Sequence, residues 1–278
     1  MSKTYSKAVS TARDYYNSDD ADRFYHRVWG GEDIHIGLYE YDDEPIFDAS
    51  RRTVAHMADL LGELAPRQRV VDLGSGYGGS ARYLAATFGC SVTALNLSEV
   101  ENARNREMNR AQGLENLVRV EDGSFEELPF PDEHFDVVWS QDAFLHSGDR
   151  AQVIQEAARV LKPGGKLIFT DPMQADDCPA GVLQPILDRL LLDTLGSPGF
   201  YREECKANGL HEIGFEDHTP QLALHYARVL RETEALEPEL AGQISADYIE
   251  RMKRGLQHWV EGGRRGHLCW GIFRFQRA

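Results

Sequence analysis

The chain has 278 residues, 42% of them hydrophobic, enough to bury one substantial core with an elaboration on it rather than two independent domains. Its 45 acidic against 30 basic residues give a formal charge of −15, with the acids scattered along the chain; this argues against a nucleic-acid surface, which needs clustered Lys and Arg, and suits solubility in concentrated salt. No apolar run approaches the ~18 residues of a membrane span, MSKTYSKAVS carries no apolar signal core, and Cys90, Cys178, Cys205 and Cys269 lie too far apart for a metal or disulfide framework, so a cytoplasmic, metal-free protein without a membrane partner is expected.

Asp48, Ala49 and Ser50 supply a cap for a first helix in which Val54, Met57, Ala58, Leu60 and Leu61 recur at helical spacing. A buried strand is predicted over 70–73, then the turn Gly74-Ser75-Gly76-Tyr77-Gly78-Gly79 and a helix over 80–88. Further strands are predicted over 91–97, 117–121, 135–140 and 166–171. Between them lie a polar helix over 98–111 and a helix over 150–161 closed by Lys162-Pro163-Gly164-Gly165. Strands alternating with helices at this spacing imply a parallel, doubly wound α/β sheet with ligands at the carboxyl ends of its strands.

After residue 172 the alternation breaks. Pro179, Pro185, Pro198 and Gly199 punctuate an apolar helix over 182–195, read as an insertion that covers the pocket. Residues 215–222 and 268–275 read as an antiparallel edge pair that completes a mostly parallel seven-stranded sheet. Apolar positions between them, among them Leu224, Val229, Leu240, Met252 and Leu256, read as cover helices. One domain is expected, with an N-terminal helical cap (1–50), a ligand-binding core (51–173) and lid helices with the final strands (174–278).

The chemistry concentrates at the predicted strand ends. Glycines at 74, 76 and 78 let the backbone turn sharply and approach a ligand closely, and Asp72 just before them suits a cationic amino group better than a phosphate. The pattern DxGxGxG resembles the glycine-rich loop of class I S-adenosylmethionine (SAM) dependent methyltransferases more than a dinucleotide loop. On that reading Asn96, with Leu97 beside it, meets a ribose hydroxyl. Asp122 accepts the exocyclic amine of an adenine while Gly123 and Ser124 follow the ring edge.

The run Trp139-Ser140-Gln141-Asp142-Ala143-Phe144-Leu145-His146 is similar to the sarcosine/dimethylglycine N-methyltransferases. So are Asp171-Pro172-Met173, Ser18-Asp19-Asp20-Ala21-Asp22-Arg23-Phe24-Tyr25 and the stretch from Trp29 to Tyr39, and the likeness spans most of residues 14–175. The resemblance implies a SAM-dependent enzyme that adds the last methyl groups in glycine betaine synthesis and releases S-adenosylhomocysteine, with Gln141 on the cofactor side. Its partner is a small amine, dimethylglycine or sarcosine, and the protein a monomer or small homo-oligomer. It further implies that a tyrosine of the N-terminal segment, Tyr16 or Tyr25, pairs with His146 to close the pocket and assist proton removal.

Methyl transfer to an amine needs a wall that tolerates cations and an anchor for the substrate carboxylate. Tyr16, Tyr25, Trp29, Tyr39 and Trp139 are the aromatic candidates. Met173 and Tyr201, with Phe200, are expected at the substrate wall. Arg51, Arg52, Arg23 and Arg202 stay open as the anchor. Two other readings stay open: the same fold acting on another acceptor such as phosphoethanolamine, and a non-catalytic SAM-binding module.

Overall fold

A computed structural model describes residues 7–278. Its strands are β1 (Arg69–Leu73), β2 (Ser91–Asn96), β3 (Val118–Asp122), β4 (Phe135–Gln141), β5 (Leu161–Thr170), the short β6 (Met173–Gln174), β7 (Leu210–Asp217), the short β8 (Leu268–Cys269) and β9 (Gly271–Arg277). Its helices are α1 (Lys7–Tyr16), α2 (Asp19–Val28), α3 (Ile46–Leu61), α4 (Gly79–Phe88), α5 (Glu99–Ala111), α6 (Arg150–Val160), α7 (Gln184–Leu190), α8 (Pro198–Ala207), α9 (Thr219–Leu240) and α10 (Ala246–Arg264). Seven strands form one sheet in the order β3-β2-β1-β4-β5-β9-β7. All neighbours from β3 to β5 are parallel, and β9 alone runs antiparallel to both β5 and β7.

Strand alternation divides the core into two layers. Val70, Val92, Val137 and Ile168 pack against Val54, Met57 and Ala58 of α3 and Leu84 of α4. Val71, Leu73, Val138, Leu167 and Phe169 face the other way, onto Val153, Ile154 and Ala157 of α6 and Tyr201 and Cys205 of α8. Each large apolar side chain so buried contributes about 1.5–3 kcal/mol. A separate cluster joins α2 to α9 and α10 through Phe24, Val28, Val229, Ile249 and Met252, and so closes the N-terminal helices over the top of the sheet.

Several boundaries differ from the sequence pattern for local reasons. Lys162–Gly165 does not simply end a helix; it makes a bulge inside β5, where the pairing jumps from Phe135↔Leu161 to Val137↔Lys166 and Gly164 takes φ +77°. The apolar run over 182–195 yields only the seven-residue α7, because Leu191 turns left-handed at φ 54°. The last strands form the expected antiparallel pair, but β7 starts at Leu210, and residues 219–222 already belong to α9, whose first turn holds Pro220. Pro45 precedes α3, so Asp48 and Ser50 lie within the helix rather than capping it. Among the described residues no helix is long and apolar enough to cross a membrane.

Candidate active site

The glycine loop leaves β1 at the sheet's carboxyl edge and bends through left-handed residues, Gly74 at φ +78° and Gly76 at φ +50°. A side chain at Gly74 would collide with Ala143, so the loop is pressed against the segment that follows β4. A cavity opens beside it. Asp72, Gly74, Gly76, Asn96, Leu97, Gly123, Ser124 and Gln141 all line that cavity.

Several polar atoms around this cavity have no partner in the protein. Asp72 is buried and its Oδ2 is unpaired; burial pushes its carboxyl up to about 7, with His35 opposing and Asp33 adding to the shift. Gln141 accepts at Oε1 from Trp139 Nε1 (3.0 Å) and Ser80 Oγ, which leaves its Nε2 free to donate, and Ser75 Oγ is also unpaired. Buried polar groups are ordinarily satisfied, so three orphans on one wall mark the seat of a polar ligand.

Asn96 Nδ2 donates to Glu101 Oε2 at 2.8 Å, and burial pushes the Glu101 carboxyl up to about 7. Glu101 also lines the cavity and was not expected there. The sequence Ser98-Glu99-Val100-Glu101 carries a capping-box pattern, in which the acid would turn back to the cap. Ser98 does accept from Glu101 N (3.2 Å), but the Glu101 side chain points to Asn96 instead. Asp122 must be corrected: it is not at the cavity. Its carboxylate pairs with Arg106 (2.6 Å) and accepts from Asn102 (2.9 Å), while Gly123 N binds Asn96 O and keeps the following loop at the wall.

The segment from Trp29 to Tyr39 straps the cavity from above. Asp142, left-handed at φ 50°, pins it by accepting from Ile36 N (2.7 Å) and Trp270 Nε1 (2.8 Å). Arg51 is corrected from anchor to brace, because its guanidinium pairs with Asp33 (2.9 Å) and Glu32 (3.3 Å) of the strap. The other proposed anchors are likewise engaged elsewhere. Arg52 binds Glu44 (2.7 Å), Arg202 binds Glu212 (2.9 Å), and Arg23 binds the Gln243 carbonyl (2.6 Å).

On the opposite wall Tyr16 Oη lies 2.9 Å from His146 Nε2, which resolves the choice between the two tyrosines geometrically. Tyr25 lines the same cavity but shares its hydroxyl with Tyr15 (3.2 Å), and Trp29 stands beside it. Burial, with Arg189 and Arg150 nearby, holds His146 down to about 4, so its ring is neutral at neutral pH. Burial raises Tyr16 well above its usual range, so it remains a phenol hydrogen-bonded to the neutral ring.

Four aromatic or apolar expectations are corrected. Tyr39 lies behind the wall, its hydroxyl 2.9 Å from His225 Nδ1. Tyr201 is fully buried in the main core, where it donates to Asp171 (2.6 Å); Met173 and Trp139 are core residues too. In their place α9 and α10 bring Tyr226, Met252 and Trp259, and α7 brings Arg189. No local motif announces these positions, since they reach the cavity only through the packing of the lid. Away from the cavity, His56 and His218 both turn Nε2 toward Glu216 Oε2, at 2.7 and 3.3 Å.

Residues 71–169 match the family described as a methyltransferase domain. The sarcosine/dimethylglycine N-methyltransferase of Halorhodospira halochloris is 61% identical over 272 residues, 98% of either chain. The chain belongs to the sarcosine/dimethylglycine N-methyltransferases. A second member, from Aphanothece halophytica, is 53% identical across 96% of both chains. A solved structure from Galdieria sulphuraria, with a provisional assignment as a sarcosine dimethylglycine methyltransferase, superposes at a TM-score of 0.91. It is 46% identical and covers 95% of this chain and 99% of its own. As a sarcosine/dimethylglycine N-methyltransferase the enzyme uses SAM. The donor set fits it: a buried carboxylate for an ammonium, an amide N–H and a hydroxyl for polar edges, and a glycine loop that admits close approach.

Proposed function

We propose that this enzyme methylates dimethylglycine, and sarcosine before it, to glycine betaine. Asp72 and Gln141 would hold the polar end of SAM, with Asn96, Leu97, Gly123 and Ser124 along its nucleoside. The bound donor supplies an electrophilic methyl group on a sulfonium. The carrying observation is the Tyr16–His146 pair, set in an aromatic wall of the same cavity.

The acceptor amine must be neutral when it attacks. Tyr16 is placed to take the ammonium proton on its oxygen while passing its own to His146 Nε2, so the charge leaves the reacting nitrogen in one relay. The depressed basicity of His146 makes the ring a transient acceptor rather than a store for the proton. Tyr25, Trp29 and Trp259 supply faces that stabilise a methylated ammonium by roughly 0.5–2 kcal/mol each. Alignment of amine and sulfonium in the cavity accounts for the rest of the acceleration.

Incubating the enzyme with methyl-labelled SAM and, separately, glycine, sarcosine, dimethylglycine or phosphoethanolamine tests this reading. Labelled betaine from dimethylglycine is the expected product. Transfer to phosphoethanolamine alone would replace the acceptor, and SAM binding without transfer to any of the four would leave a binding module.

A further inference from the structure

We propose that Arg189, at the junction of the reaction cavity and an outer chamber, is the binding subsite for the substrate's carboxylate. This rests on the reading of the acceptor as a small amino acid. Arg189 projects from α7 and borders both the cavity that holds Tyr16 and His146 and the adjoining chamber lined by Tyr15, Tyr248 and Met252.

Many arginines of this acidic chain meet a carboxylate. Arg51, Arg52, Arg104, Arg159 and Arg202 each pair with a carboxylate. Among the described residues none pairs with Arg189, whose Nη2 instead lies 3.1 Å from the weakly accepting Met252 Sδ. The hydroxyl groups around it belong to Tyr15, which also hydrogen-bonds it, Tyr25 and Tyr248, and no carboxylate stands among them. A partly buried cation without a counter-ion is costly, and a carboxylate arriving from outside removes that cost through a two-pronged contact.

The helix opposite makes room for this group. Gly255 sits inside the 19-residue α10, where glycine costs roughly 0.5–1 kcal/mol relative to alanine. A Cβ there would lie 2.6 Å from Arg189 Nη1 and 2.8 Å from its Cδ, so only glycine leaves the guanidinium in place. Position adds specificity. Arg189 is a neighbouring charge that disfavours protonation of His146, so a carboxylate bound to Arg189 cancels the repulsion as it presents the amine to the Tyr16–His146 pair. A single guanidinium with phenol donors matches a monoanionic amino acid; an amino alcohol would leave it unpaired.

The test compares wild type with Arg189→Met, Arg189→Lys and Gly255→Ala. One readout is the binding of 3,3-dimethylbutanoate, a carboxylate shaped like betaine but lacking its cation, to the enzyme–S-adenosylhomocysteine complex by calorimetry. The other is turnover of dimethylglycine against 2-(dimethylamino)ethanol. Arg189→Met is expected to weaken the probe and raise KM for dimethylglycine by about 30-fold or more, with Lys intermediate. Gly255→Ala should shift both in the same direction. S-adenosylhomocysteine affinity should be unchanged, and turnover of the amino alcohol should change far less than that of dimethylglycine. Wild-type affinity for the probe in Arg189→Met, or equal losses on both acceptors, would overturn the assignment. Arg189-dependent binding of the probe by an enzyme inert toward dimethylglycine would keep the subsite and discard the acceptor.

Discussion

Replacing Asp72 with Asn is expected to weaken SAM binding on the order of 100-fold while raising the melting temperature of the ligand-free enzyme at pH 8. Both effects follow from one buried carboxylate with an unpaired oxygen. Burial raises its folded pKa from 3.8 to about 7, so the folded chain holds a proton there that the unfolded chain releases. Stability from this group is therefore present at low pH and is lost as pH rises from about 4 through 7. A neutral amide removes the loss. It also removes the charge that an ammonium ligand needs, and a charge-assisted contact in a buried site is worth about 2–3 kcal/mol. Because SAM's ammonium pairs with the ionised form, wild-type affinity should fall as pH drops below 7, with proton release on binding. Calorimetry in buffers of different ionisation heat reads that release directly. Unchanged affinity in the variant, or no proton release near pH 6.5, would remove Asp72 from the cofactor seat.

His146→Ala is expected to lower kcat by about 10²–10³ with SAM affinity little changed, since a positioned acid–base group contributes on that scale. Tyr16→Phe should lower kcat by a similar factor, because the two act through one hydrogen bond of 2.9 Å. The double variant should then be scarcely worse than either single one, which is the signature of residues that work as a unit. Additive losses would mean separate roles. A His146→Ala enzyme with normal turnover across the pH range would make the ring a packing residue that closes the cavity.

The parts legible in the sequence were those encoded locally. DxGxGxG and Asn96 sit at the end of a strand and Gly123-Ser124 directly follow one, so placing the strands placed them at one sheet edge, and the cavity lies there. His146 was legible for the same reason, five residues past the end of β4. Asp122 misled because its position resembles theirs, yet at the strand's end a helix partner, Arg106, claims its carboxylate. Aromatic residues misled more often. Tyr39, Trp139 and Tyr201 have the composition of a substrate wall, but each uses its polar tip inside the protein, toward His225, Gln141 and Asp171.

The lid was the least legible part. Arg189, Tyr226, Met252 and Trp259 sit on helices whose spacing signals burial without naming what they bury against. The anchor could not be chosen from the arginines near the motifs, because Arg51 and Arg52 serve the strap and Arg23 and Arg202 lie at exposed contacts. Only tertiary packing brings a residue 43 positions beyond His146 to the same cavity.

The most direct measurement is a crystal structure with S-adenosylhomocysteine and dimethylglycine bound together. The expected result is the cofactor's ammonium on Asp72, the substrate amine facing Tyr16 with His146 behind it, and the carboxylate on Arg189. Dimethylglycine bound away from the Tyr16–His146 pair, or a cofactor whose ammonium does not meet Asp72, would contradict it.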